Sequence, residues 1–231
     1  MFSIIIPAYN EESKIHEVVC FIKKATQEYD AEIIVVDGRS TDNTVKIAEK
    51  AGAKVYKAPQ KGRARQMNYG AAQAKGSWLY FLHADTTPPV SFIESLKRVR
   101  QSGAKGGCFR LKFDIEHWAL KSYAWFTRFD IDLFRFGDQS LLVEKELFVA
   151  IGGFDETLIV MEDQEIVRRI KKHARFRVIP DYVTTSGRRY ERIGIFKLQV
   201  IFAIIVFLFY MGVKQETIVK FYRSQMNSNT Y

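Results

Sequence analysis

The stretch Trp78-Leu79-Tyr80-Phe81-Leu82-His83-Ala84-Asp85 decides how this chain is read. Five apolar residues, three of them aromatic, run into His-Ala-Asp, and Pro88-Pro89 follow. A short apolar run with aromatics and a proline stop predicts a buried strand. Asp85 then projects from the carboxyl end of that strand, the edge at which open α/β sheets bind ligands. A carboxylate there, beside a histidine, suits a divalent cation held through oxygen. The competing reading is that Asp85 only caps a helix opening at Pro88.

Toward the N-terminus the same pattern recurs. Phe2-Ser3-Ile4-Ile5-Ile6-Pro7 predicts a buried strand stopped by proline, and Glu32-Ile33-Ile34-Val35-Val36-Asp37 a second one, again ending in Asp. Ala53-Lys54-Val55-Tyr56 is a short third. Between them Ile15, Val18, Val19 and Ile22 recur at helical spacing. The turn at 38–43, rich in capping residues, leads into a helix through Val45, Ile47 and Ala48 that ends near Gly52. This alternation implies an α/β class, a doubly wound and mostly parallel sheet flanked by helices. Right-handed crossovers put the strand ends on one side, so Asp37 and Asp85 are expected on one rim. Two strand-end carboxylates on one rim point to a site more strongly than one.

With 231 residues the chain suits one α/β domain with a full core. Apolar content of 47% and charged content of 26% describe a globular protein, not a disordered one. A net charge of +9 suits an anionic partner. The sequence shows no long Lys/Arg block and no nucleic-acid module, which argues against nucleic acid. Cys20 and Cys108 suggest neither a disulfide framework nor a zinc site, so a reducing compartment is expected. Met1-Phe2 runs straight into a strand, so no secretory signal peptide is expected either, and the cytoplasm is the expected location.

A basic turn, Lys61-Gly62-Arg63-Ala64-Arg65, opens a helix that carries Asn68 and Gly70. Free N–H groups at a helix start attract anions, and Arg63 and Arg65 supply forked donors suited to a diphosphate. The plainer alternative is a solvated basic face. Pro88-Pro89 should open a helix through Phe92, Ile93, Leu96 and Val99, ended by Gly103. Alternation from Phe109 predicts a half-exposed strand through Phe113. The aromatics Trp118, Tyr123, Trp125, Phe126, Phe129, Phe134 and Phe136 read as core, or else as an apolar wall. Leu141 to Val143 should be a strand, and Arg177 to Pro180 a short one. Glu162, Asp163 and Glu165 start a helix, where the macrodipole alone would favour them.

Ile4-Ile5-Ile6-Pro7-Ala8-Tyr9-Asn10-Glu11-Glu12, Val35-Val36-Asp37-Gly38-Arg39-Ser40-Thr41-Asp42 and the strand ending His83-Ala84-Asp85 come in order. Together they resemble the nucleotide-sugar-binding half of the family 2 glycosyltransferases, which have the GT-A fold. The match covers residue 2 to about 190. It implies a GT-A domain over 1–190, with a nucleotide-sugar half (2–100) and an acceptor half (101–190), and a C-terminal extension over 191–231. Pro7, Tyr9 and Glu11 match the family's first nucleotide-contacting turn. Asp37 matches the Asp that holds the base. Asn68 and Gly70 match the Asn-x-Gly closing the diphosphate-side segment. Met67 stands where the family often has Arg, so the diphosphate falls to Arg63 and Arg65. Asp85 matches the second Asp of the family's Asp-x-Asp and implies Mg²⁺ or Mn²⁺. His83 replaces the first, and could ligate the cation, bond the ribose or fill space. Gly152-Gly153-Phe154-Asp155 followed by Glu162-Asp163 matches the acceptor-side motif, with Asp163 as general base. Arg188-Arg189-Tyr190 resembles a reduced form of the Gln-x-x-Arg-Trp of processive relatives. That argues against polymer synthesis and leaves Arg189, with Arg188, to face the diphosphate. Gly137-Asp138-Gln139 and Met161-Glu162-Asp163 most resemble a small bacterial subgroup associated with arsenosugar-type biosynthesis.

The resemblance implies an inverting transfer of a sugar from a nucleotide diphosphate, a UDP-sugar first, to an acceptor hydroxyl or a lipid phosphate. One alternative is a sugar nucleotidyltransferase, but those use a glycine-rich basic loop where this chain has the acidic Ala8-Tyr9-Asn10-Glu11-Glu12. Another is a non-catalytic nucleotide-sugar-binding protein at a membrane, which would leave Asp85 and Asp163 idle. From Val200 to Val213 the chain is continuously apolar, short of the ~20 residues that span a bilayer. Arg188, Arg189, Arg192, Lys214, Lys220 and Arg223 surround it. An apolar helix flanked by basic residues predicts membrane-surface contact through 193–213; a homodimer helix and a true span are the other readings.

Overall fold

A computed structural model describes residues 1–226. The helices and strands in chain order are β1 (Phe2–Ala8), α1 (Ile15–Ala25), β2 (Ala31–Asp37), α2 (Thr44–Ala51), β3 (Lys54–Lys57), α3 (Arg63–Gln73), β4 (Trp78–Phe81), β5 (Thr86–Thr87), α4 (Phe92–Gln101), β6 (Gly106–Phe113), α5 (Trp118–Phe126), β7 (Leu141–Glu144), α6 (Lys145–Ala150), α7 (Glu162–His173), β8 (Phe176–Thr185), α8 (Arg188–Ile193), α9 (Ile195–Tyr210) and α10 (Gln215–Met226). They build one eight-stranded sheet in the order β3-β2-β1-β4-β7-β6-β8-β5.

β1 lies near the middle, and all of its residues are buried. Its β-branched run packs helices on both faces: Ile4 and Ile6 belong to one core layer and Ile5 to the other. Pro7 does not stop the strand. Pairing to β4 ends at Ile5 while pairing to β2 continues to Ala8, so Pro7 sits where the strand is paired on one side only. That edge-like position tolerates a missing N–H. α3 lies close against this region because Gly70 has no side chain; a Cβ there would come within 2.6 Å of Ile5 Cγ2.

Three differences from the sequence reading follow from pairing between distant segments, and a fourth concerns the burial of the aromatic stretch. The sheet is mixed, since β7 runs antiparallel between β4 and β6 and β5 runs antiparallel to β8. Thr86 and Thr87 form β5 against Thr185 and Thr184, so α4 opens at Phe92 instead of Pro88. β8 runs on through Pro180 because an irregularity beside it, between Phe109↔Ile179 and Arg110↔Tyr182, absorbs the break in pairing. The aromatics of 117–136 are only partly core. Trp118, Trp125, Phe126 and Phe129 are exposed.

The C-terminal segment is not one continuous rod. Gly194 and Gly212, both at positive φ, break it into α8, α9 and α10. Leu198, Ile201 and Ile205 of α9 and Ile218, Tyr222 and Met226 of α10 join the main core. No described helix is long and apolar enough to cross a membrane. The last five residues of the 191–231 extension lie outside the described residues.

Candidate active site

The carboxyl ends of β1 and β4 open into a cleft of about 570 Å³, within the range of small-molecule sites. Its floor is Pro7 to Glu11 and His83 to Asp85; its roof is the segment after β8, with Ser186, Arg188, Arg189 and Arg192. The roof is tied down where Ser186 N donates to Asp85 O at 3.1 Å. The loops after β1 and β2 are zipped together: Asn10 N donates to Ser40 Oγ and Thr41 N donates back to Asn10 Oδ1. Asn10 holds φ 53 in this turn, an unusual conformation for a non-glycine residue.

Arg188 Nη2 reaches Glu11 Oε1 at 2.6 Å and Asp85 Oδ2 at 3.5 Å, so one guanidinium joins both carboxylates. Burial opposes its charge, but Glu11 and then Asp85 more than offset this and raise its affinity for the proton. The other oxygen of Glu11, Oε2, is buried without a hydrogen-bond partner. An orphaned carboxylate oxygen near Asp85 fits a cation there. No group of three or more His, Cys, Asp and Glu among the described residues could hold an ion alone. A cation would therefore complete its shell from diphosphate oxygens, as Mg²⁺ commonly does.

His83 Nδ1 lies 3.2 Å from Asp138 Oδ1. Burial disfavours a charged imidazole, but the Asp138 hydrogen bond, helped by nearby Asp163, raises His83 above its ordinary value. Burial likewise pushes Asp138 up, and His83, Arg189 and Arg63 hold it below the usual carboxylate range. The two act as one mutually stabilising pair.

A second compartment of about 120 Å³ adjoins the first and shares Arg63, Asp138, Arg189, Tyr190 and Phe202 with it. Here α7 begins after Met161, a non-glycine residue at φ 71. Glu162 and Asp163 follow, and Arg63 spans both: Nε is 3.2 Å from Glu162 Oε1 and Nη1 is 3.6 Å from Asp163 Oδ2. Glu162 is almost fully buried, while Asp163 keeps 18% of its side chain exposed. Burial, only partly countered by Arg63 and reinforced by Asp163, raises Glu162 to about 7. Gly137 is what lets these groups converge, because a Cβ there would collide with Asp163 Oδ2 and His83 Cε1.

Pro7, Tyr9, Glu11, Arg63, His83, Asp85 and Arg189 thus line the first compartment, and Asp163 the second. Asp37, Arg65 and Asn68 line neither. Asp37 is buried under the rim, where its carboxylate accepts the N–H groups of Arg39 and Ser40. Arg65 turns outward to Glu156 at 3.7 Å. Asn68 holds the Gly153-Phe154 turn, accepting from Phe154 N and donating to Phe154 O. Sequence reasoning missed Gln66, whose Nε2 donates to Ala8 O and Val36 O and so clamps two strand ends beneath the cleft. It also missed Arg135, buried against Gln139 Oε1 and Thr127 O, which anchors the segment leading to Gly137. Neither a glutamine within a helix, as Gln66 is in α3, nor an arginine in an irregular segment, as Arg135 is, carries a sequence signal of its partners.

Residues 3–148 match the model of the family described as Glycosyl transferase family 2. The chain belongs to this family. A PGL/p-HBAD biosynthesis glycosyltransferase of Mycobacterium bovis is 29% identical over 173 residues, covering 71% of this chain and 66% of the relative. A dolichol-phosphate mannosyltransferase of Pyrococcus furiosus is 29% identical over 124 residues, covering 50% of this chain and 35% of the relative. Among solved structures, S. aureus TarS 1–349 with UDP-GlcNAc superposes with a TM-score of 0.67 at 21% identity, covering 80% of this chain and 58% of that one. The mannosyltransferase PcManGT of Pyrobaculum calidifontis, with GDP-Man and Mn²⁺, gives 0.68 at 18% identity, covering 90% and 61%. The chain therefore spans just under two thirds of the length of these proteins or less. At such identities the structures establish the shared GT-A fold.

Proposed function

We propose that this family 2 member is an inverting glycosyltransferase that takes a sugar from a nucleotide diphosphate, a UDP-sugar first. The observation that carries the reading is the density of cationic groups in the cleft. Arg63, Arg188, Arg189 and Arg192 line it around Asp85 at the carboxyl ends of β1 and β4. Forked guanidinium donors match diphosphate oxygens. Pro7, Tyr9 and Glu11 would meet the nucleoside. Asp37 and Gln66 would act from beneath by holding the rim's shape, and Asn68 by holding the Gly153-Phe154 turn. Asp85 would hold Mg²⁺ or Mn²⁺ together with the diphosphate, and such an ion offsets charge developing on the leaving group.

In the transfer, the acceptor oxygen forms a bond to the anomeric carbon as the bond to the diphosphate oxygen breaks from the opposite face. The nucleoside diphosphate leaves with that electron pair, and the acceptor proton passes to Asp163. Asp163 is the better base of the α7 pair because it is the one with open access; Glu162 is sealed behind it. A lipid phosphate acceptor, already ionised, would need Asp163 only for orientation. The domain division at about residue 190 belongs to the same reading, with α9 and α10 in the C-terminal extension that follows it. Relatives of this chain include proteins named for PGL/p-HBAD biosynthesis, which supports the family and not the arsenosugar-type subgroup.

Phe196, Val200 and Phe207 of α9, Met211 just after it and Trp118 of α5 form an exposed apolar face, with the Trp118 and Phe196 rings 5.9 Å apart. Lys197, Lys214, Lys220 and Arg223 in the same segment favour an anionic bilayer surface on the cytoplasmic side over a second copy of the chain. Co-sedimentation with phosphatidylglycerol vesicles tests this, and a stable dimer without vesicle binding rejects it. The transfer itself is tested by a donor screen that measures UDP or GDP release across sugar nucleotides with Mg²⁺ and Mn²⁺. Release from none of them, with no nucleotide binding, rejects the reading.

A further inference from the structure

Beyond α5 the chain carries a second exposed apolar group. Trp125, Phe126, Phe129, Ile131 and Leu133 are each between 40% and 48% exposed and belong to neither core layer. Together they present roughly 400 Å² of apolar surface, a patch size that is often functional. The rings hold one another: Trp125 lies 4.9 Å from Phe129 and 5.2 Å from Phe126, centroid to centroid. The backbone beneath them is pinned from inside. Arg135, almost fully buried, donates to Thr127 O and Phe129 O, and Thr127 Oγ1 accepts from Leu111 N. A buried guanidinium thus fixes a loop whose apolar side chains face outward.

This loop runs beside α9. Where the two helices begin, the Trp118 ring meets Phe196. At the other end Gln164 donates to Leu133 O at 3.2 Å and accepts from Tyr210 Oη at 3.4 Å, so the loop and the end of α9 are tied to one side chain. The loop's acids are turned to protein: Asp130 and Asp132 both pair with Lys171 of α7, at 2.5 and 2.6 Å. Its remaining charge is Arg128, whose guanidinium lies over the Trp125 ring at 4.6 Å. An aromatic body with a cation at its edge suits the boundary between acyl chains and anionic headgroups.

We propose that loop 125–133 is an interfacial wedge, which enters an anionic bilayer through Trp125, Phe129 and Ile131 when α9 lies on its surface. This rests on the membrane-surface reading of α9 and adds a separate point of contact. Arg128 then meets lipid phosphate, while Asp130 and Asp132, neutralised by Lys171, do not oppose the approach.

The probe is phosphatidylglycerol vesicles carrying acyl chains brominated close to the headgroup, added to the full chain. Of the 3 tryptophans, Trp78 is buried, so Trp118→Phe leaves Trp125 as the exposed indole. Its emission should shift to the blue on the vesicles and be quenched by the brominated lipid. Ile131→Glu, at a position outside the core, should weaken partition by about tenfold or more, with the urea unfolding midpoint near that of wild type. Vesicle binding with Trp125 emission unmoved, or with Ile131→Glu bound as tightly as wild type, overturns the wedge and leaves the α9 reading standing. Absence of wild-type binding rejects both. A dimer that Ile131→Glu dissociates, without vesicle binding, assigns the loop to a second copy and overturns the proposal. The quenching arm needs no charged variant, so it decides the question even if Ile131→Glu fails to fold.

Discussion

Replacing Glu162 by Gln should make the protein more stable, and increasingly so as pH rises. Glu162 is buried beside Asp163, and its carboxyl is raised from 4.5 to about 7, burial being the largest cause. Between those values the folded chain holds a proton that the unfolded chain has lost. Stability contributed by this group is therefore full below 4.5 and is lost as pH rises through 7. Glutamine keeps the shape and never ionises, so the difference between variant and wild type reports Glu162 together with its electrostatic partners Asp163 and His83 and cancels titrations elsewhere. A tenfold difference in proton affinity between the folded and unfolded chain is worth about 1.4 kcal/mol, so the gap should widen by about 2–3 kcal/mol between about pH 5 and pH 8. For a chain of this size that corresponds to roughly 5–10 °C in Tm. The assay is thermal or urea unfolding of both proteins at several pH values. A gap that stays constant with pH, or that narrows, would refute the argument that Glu162 is forced to ionise inside a poorly compensated pocket.

Other substitutions test the convergence of the two compartments. Gly137→Ala pushes a methyl group into the space taken by Asp163 and His83. It should cut kcat by about 100-fold, the scale of a misplacement of around 1 Å, with nucleotide affinity nearly unchanged; wild-type turnover would contradict the close approach. Arg188→Ala leaves Asp85 and Glu11 without their shared guanidinium. Titration calorimetry of nucleotide-free protein should then show Mn²⁺ binding about tenfold tighter than in wild type, as expected when a competing cation worth ~1.4 kcal/mol is removed. Gly70→Ala places a methyl group against Ile5 and Val36 and should destabilise the fold by about 1–3 kcal/mol in urea unfolding.

The legible parts of this fold are those where a segment's own residues dictate burial. β1, β2 and β4 announce themselves because apolar residues on both faces leave no other use for them. α7 is equally plain, since Ile166, Val167 and Ile170 repeat at helical spacing behind an acidic first turn. The antiparallel entry of β7 was hidden because Leu141-Leu142-Val143 reads the same in either direction. β5 is two threonines whose strand character exists only through Thr184 and Thr185. The site divides in the same way. Asp85 and Asp163 stand out by their positions at a strand end and a helix start. The clamp of Gln66 and the buried arginine at 135 depend on carbonyls contributed by distant or irregular segments. Asp37 and Asn68 were visible as motif residues, yet their side chains are spent on backbone groups that shape the rim and the turn behind it.

The central claim is that Asp163 accepts the acceptor's proton in a cleft that binds the donor independently. It is tested most directly by Asp163→Asn, with UDP affinity measured by calorimetry and sugar transfer measured by product formation on one preparation. The account predicts UDP binding within about twofold of wild type and transfer reduced by about 10²–10⁴-fold, the usual contribution of a positioned base. Transfer to a hydroxyl acceptor at the wild-type rate would contradict it.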